Sequence, residues 1–185
     1  EFYTVLPTEL TRTEVSLNSL KKIIDKSTNV TEIDTAALGF LNVVDKISMA
    51  DVVATLKAPP KAYPHQSKYY ARALAVINVH QPNVADEVAT ALKNSILSTV
   101  NPANGKHKGS AHKIHIAHYI AELAHFKIHP DDCIDCIESS LRNIQQAGAI
   151  EILSTMLTVS GKFLLQFYDL SRFAICRCID ELKKL

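Results

Sequence analysis

Three histidines and a glutamate, His115, His118, Glu122 and His125, are the densest set of side chains in this sequence with the means to do chemistry. At about 100° per residue they fall on one narrow stripe of a helix whose remaining circumference, from Ile114 to Ala124, is almost wholly apolar. His118, Glu122 and His125 stand at i, i+4 and i+7, and they offer the imidazole and carboxylate donors that a transition metal takes. No recognised ligand motif accompanies them. The expectation is therefore a hydrogen-bonded polar seam on a core helix, with no metal and no cofactor. Within that seam His118 and Glu122, one helical turn apart, are expected to form a structural pair. Its strength should depend on pH, because an imidazole titrates near about 6.5.

Cys133-Ile134-Asp135-Cys136 has the C-x-x-C spacing of redox and zinc sites, and His115-x-x-His118 offers a formal partner pair. Zinc cysteines normally sit in turns, whereas these lie in a helical pattern with Ile137 and Leu141. Packed structural thiols are expected. Cys176 and Cys178, two residues apart, point to different sides of a helix and do not readily share an ion or close a disulfide. Four cysteines in 185 residues suit reduced thiols and a reducing compartment. No G-x-S-x-G elbow, Walker loop or G-x-G-x-x-G is present, so no catalytic residue is assigned. A metal-dependent or thiol enzyme is the rival class, and elemental analysis separates it.

The polar chemistry left over is a modest basic cluster, Lys106, His107, Lys108 and Lys113. Lys106, Lys108 and Lys113 are candidates for a weak RNA contact. A formal net charge of +1, from 20 Lys and Arg against 19 Asp and Glu, gives no long-range field to recruit nucleic acid or an anionic membrane. No apolar run approaches the roughly 18 residues of a membrane span. The chain opens on Glu1 with no basic leader and reads as a segment of a longer protein.

The elements that must position these residues read as helices throughout, since apolar residues recur every three or four positions and sustained alternation is absent. Leu17, Leu20, Ile23 and Ile24 form one stripe, and Ile33, Ala37, Phe40, Leu41 and Val44 the next, with Thr31 as expected N-cap. A short helix follows Ser48. Pro59, Pro60 and Pro64 break the pattern, Tyr70 to Ile77 resume it, Pro82 stops it, and Val84 to Ile96 carry another helix. After the polar loop Asn101–Gly109, helices are expected from about Ala111 to Ile128, from Pro130, through Ile150 to Leu157, and through Ile175, Ile179 and Leu182. The domain organisation expected is a linker and first helix over 1–30 and a helical-repeat domain over 31–185. Paired helices with short links imply antiparallel hairpins, stacked as a HEAT-like α-solenoid.

Two of these helices resemble a known family. His118-Tyr119-Ile120-Ala121-Glu122-Leu123-Ala124-His125-Phe126-Lys127-Ile128 is similar to the R-F-[IL]-[GA]-E-L-x-x-[FY]-K signature of the middle domain of eukaryotic initiation factor 4G. Leu153 to Leu164, with Leu157 and Ser160-Gly161-Lys162, resembles the family's companion helix. Tyr69–Arg72, Val84–Val88 and Phe2–Pro7 also resemble segments of family members that work in mRNA surveillance. The likeness is strongest from Tyr69 to Leu164 and weak before Asp34. It implies a HEAT-like helical repeat acting as a non-catalytic scaffold in nonsense-mediated decay, in the cytoplasm including the perinuclear region. The partners implied are protein subunits of an mRNA decay complex and neighbouring domains of the same chain. Scaffolds of translation initiation, cap binding or deadenylation share the fold and are the alternative, as is an RNA-binding helical repeat. His118 stands where the family usually has Arg, so an Arg-to-Glu pairing becomes a His-to-Glu pairing here.

Overall fold

The computed structural model describes residues 2–4, 6–9, 13–57, 64–100, 110–146, 148–167, 175–177, 179–180 and 183. Every regular element among the described residues is helical, as the spacing of apolar positions requires. Contacts divide the chain into two compact units, Glu1–Ala91 and Leu92–Leu185, a division that falls inside a helix and not near residue 30. No helix among the described residues is long and apolar enough to cross a membrane.

The first unit contains α1 (Leu17–Lys26), α2 (Val30–Leu41), α3 (Met49–Leu56) and α4 (Ser67–His80). Ser16 opens α1 and Ser48 opens α3, each hydroxyl accepting from a backbone amide of the first turn. α2 is capped by Asn29 and not by Thr31. The Asn29 Oδ1 accepts from the amides of Thr31 and Glu32 at 3.0 and 3.4 Å, which draws Thr31 into the helix. α1, expected beside a linker, packs against α2, α3 and α4, and buries Leu20 and Ile24 fully. The segment before α1 lies directly on α2. Val15 N–H donates to the Gly39 carbonyl at 3.1 Å, and a Cβ on Gly39 would stand 2.6 Å from Val15 Cγ2 and 2.8 Å from the Thr13 carbonyl oxygen. Only glycine admits that approach.

Pro59 and Pro60 lie outside the described residues. A single 3₁₀ turn, Pro64–Gln66, leads into α4, which is buried from Tyr69 through Ile77. Pro82 ends that helix and is also the first residue of α5 (Pro82–Val100), where its missing amide costs nothing.

The second unit contains α6 (Ser110–His125), α7 (Pro130–Arg142) and α8 (Ala149–Phe167), each packed on the other two. The loop Asn101–Gly109 lies outside the described residues. α6 stops at His125, short of Ile128, because the chain turns there into a Schellman stop. Lys127 takes a φ of 60°, its amide donates to the Ala124 carbonyl at 2.9 Å, and the Ile128 amide donates to the Leu123 carbonyl at 3.1 Å. Ile128 and Leu123 are both buried, which supplies the apolar contact of that motif. His129, with a φ of 44°, then delivers the chain to Pro130, the first residue of α7. Residues 175–177 and 179–180 are helical, whereas Leu182 lies outside the described residues.

Candidate functional site

The polar stripe of α6 divides into separate contacts. His118 Nδ1 lies 3.8 Å from Glu122 Oε1, with the two side chains 24 % and 7 % exposed. That separation exceeds a hydrogen bond, so the contact is one of charge and exists only when the imidazole is protonated. His125 turns instead to α8, where its Nε2 is 2.9 Å from the Val159 carbonyl oxygen and its ring centroid 4.8 Å from that of Phe163. His115 is buried, as is Tyr119, whose phenol is pushed well above its usual range by desolvation. Among the described residues no group of three or more His, Cys, Asp or Glu side chains is placed to hold a metal ion.

Cys133 and Cys136 are free thiols buried on α7, and Cys176 is a free, exposed one. Ser160 Oγ donates to the Met156 carbonyl at 2.9 Å, which makes the thiol of Cys133 the donor across the 3.3 Å gap to Ser160 Oγ. Burial pushes Cys133 up to about 12. Burial raises Cys136 as well. Both thiols are buried in packing, and the Cys133–Ser160 contact ties α7 to α8. Cys178 lies outside the described residues.

Two charged ties were not visible in the sequence. Arg72 of α4 is 4 % exposed and grips Asp34 of α2 in a fork, Nε to Oδ1 at 2.8 Å and Nη2 to Oδ2 at 2.7 Å. Its Nη1 donates to the Phe2 carbonyl. In the second unit Lys93 of α5 reaches Asp132 and Asp135 of α7 at 2.7 and 2.6 Å. Hydrogen bonds to those carboxylates, Asp132 first, hold the Lys93 ammonium well above its usual range against the opposing desolvation. The signal for the first tie was a lone arginine within the apolar run Tyr69–Ile77, since a buried cation demands an anion. Nothing local signalled the second, because its partners are about 40 residues apart.

Of the lysines expected to touch RNA, Lys106 and Lys108 lie outside the described residues. Lys113 is on α6, and the residue as a whole is 6 % exposed. The surface of the second unit carries an apolar groove of about 510 Å³ along α8, lined by Leu157, Gly161, Leu165, Ile175 and Ile179 with Lys162 beside them. These arrangements hold helices together and offer surface. No protein-family model matches the chain, and no curated protein sequence matches it.

Proposed function

We propose that this chain is a non-catalytic scaffold domain of an mRNA surveillance factor, built as HEAT-like stacked hairpins of the initiation factor 4G middle-domain type. Its motifs are most like those of the second such domain of the second up-frameshift factor of nonsense-mediated decay. The observation that carries the reading is the direct packing of α6 on α8, the helices bearing the family-like segments. Within those segments His125 reaches the Val159 carbonyl and the Phe163 ring, and the motif leucines Leu123, Leu153 and Leu164 are all buried. Two signatures that resemble one family, and that also form one interface, are better explained by common fold than by chance composition.

A scaffold works by presenting surface, and its interior must be inert. The protonated thiols of α7 and the carbonyl-bound His125 suit that role. Affinity capture from cell extract with this chain as bait tests the proposal. Recovery of surveillance factors supports it, whereas exclusive recovery of initiation, cap-binding or deadenylation factors assigns the chain to another scaffold of the same fold. Sub-micromolar RNA binding at physiological salt, in a mobility shift, would instead place it among RNA-binding repeats.

A further inference from the structure

We propose that the face of α4 formed by Lys68, Tyr69 and Arg72 is a docking cradle for a short aromatic segment, and that the chain's own Phe2–Tyr3 fills it as a releasable intramolecular ligand. The inference goes beyond the scaffold reading and stands without it, because it rests on the geometry of the first unit alone.

The cradle starts from Arg72. Asp34 takes two of its donors, Nε and Nη2, at 2.8 and 2.7 Å, and so fixes the plane of the guanidinium without help from the docked segment. The remaining nitrogen, Nη1, points outward and donates to the main-chain carbonyl of Phe2. A donor held by a buried partner is preorganised, so a ligand that uses it loses little freedom in doing so. The ring of Phe2 then meets two cations. The Arg72 guanidinium lies 5.3 Å and the Lys68 ammonium 5.9 Å from its centroid. Both are within range of attraction to an aromatic face, and Lys68 also lies 4.9 Å from the Tyr69 centroid. Tyr69 completes the cradle with an edge contact to Phe2, centroids 5.9 Å apart at 74°.

This combination reads chemistry and not sequence at large. A main-chain carbonyl and a π-face in register are required, and an aliphatic side chain supplies the first without the second. Tyr3 packs edge-on against Phe2 at 5.0 Å, a contact within the docked segment that holds the ring in place. The segment is nevertheless shallow. Phe2 and Tyr3 are only half-buried and Thr4 is exposed, whereas Arg72 beneath them is almost wholly buried. A second short segment bearing an aromatic residue, supplied by a partner, would therefore compete for the same cradle against Phe2–Tyr3 in cis.

The test uses the full chain and a fluorescent hexapeptide with the sequence of Phe2–Pro7, read by anisotropy. The Phe2→Leu chain keeps an apolar side chain and loses the π-face. It is expected to bind the hexapeptide at least about tenfold more tightly than wild type, which carries the competing segment at high effective concentration. Adding Lys68→Gln to Phe2→Leu should weaken that binding several-fold, and a hexapeptide with leucine in first place should fail to compete. Equal binding to wild type and Phe2→Leu, no saturable binding to either, or full competition by the leucine peptide overturns the proposal. A fluorine label on the Phe2 ring of the otherwise wild-type chain gives a readout that needs no variant at that position. Its resonance should move toward the free-peptide position with excess hexapeptide, and a resonance that stays put overturns the proposal equally.

Discussion

In the unit Glu1–Ala91 a guanidinium and a carboxylate are taken out of water together, whereas in Leu92–Leu185 the Lys93 tie stays nearer the rim and α8 is held by neutral contacts. The Arg72–Asp34 side chains are 4 % and 13 % exposed; Lys93 is 25 % exposed and its second partner Asp135 57 %. Inside the second unit, α8 is held by a thiol and a hydroxyl from Cys133 to Ser160, and by an imidazole on the Val159 carbonyl. The lesson concerns removal more than formation. A buried ion pair adds little over an apolar pair of the same shape, yet taking away one partner strands a charge, while a solvated pair can lose a member and let water replace it.

The largest test of that contrast is Arg72→Ala. It leaves the Asp34 carboxylate without its fork, and a loss of about 3–5 kcal/mol in denaturant unfolding is expected. The double variant Arg72→Met with Asp34→Leu should recover most of the loss. If the single variant costs no more than a surface change, burial is not what sets the price.

The glycines of α2 and α8 sharpen the comparison in steric terms. Alanine at Gly39 would press on the Thr13 carbonyl oxygen, an atom of backbone that cannot swing aside, so Gly39→Ala should cost about 1–3 kcal/mol despite alanine's better helix propensity. At Gly161 the nearest atoms are those of Leu157 at 3.9 Å, and Gly161→Ala should gain up to about 1 kcal/mol from propensity alone. Thermal melts of both variants decide it, and a shift of the same sign in each would contradict the geometry.

The buried Cys133 thiol of the second unit predicts a pH dependence. The Cys133 thiol rises from 9.0 to about 12 on folding, so above pH 9 the unfolded chain gives up a proton that the folded chain keeps. Its contribution is complete below about pH 9 and is lost as pH climbs toward 12, at about 1.4 kcal/mol per pH unit. Urea unfolding at pH 8, 9.5 and 10.5 should show a shallower decline for Cys133→Ala than for wild type. Parallel curves would mean that the thiol is already solvated. Lys93→Ala is the smallest effect. Less than about 1 kcal/mol is expected, shrinking further in high salt, because Lys93 is 25 % and Asp135 57 % exposed.

Much of the helical layout was legible because period and punctuation agree: Ser48, Pro64 ahead of α4, and Pro130 at the start of α7 all act where their chemistry says they should. The misplaced boundaries have physical causes. Asn29 outcompetes Thr31 because its amide oxygen serves two amides at once, and the end of α6 is hidden because Lys127 occupies a left-handed position that sequence reading reserves for glycine. At the candidate site the histidine stripe was visible as a pattern, and α6 does carry it. Which histidine turns to Glu122 and which to α8 depends on neighbours more than 30 residues away, as does the union of Phe2 with Arg72. Tertiary partners of that kind leave no local periodicity to read.

The two left-handed residues between α6 and α7 also bear on how fast this region assembles. Lys127 and His129 reverse the chain within four residues, Phe126 to His129, using conformations that residues other than glycine seldom adopt. Both helices of the hairpin are therefore near neighbours in sequence, and closing so short a connection takes on the order of 10–100 ns once its ends are ordered. α8 follows through six residues, 143–148, and must meet both α6 and α7 to complete its packing. Pulsed hydrogen exchange during refolding should accordingly find the amides of α6 and α7 protected ahead of those of α8, with the hairpin serving as the template on which the third helix condenses.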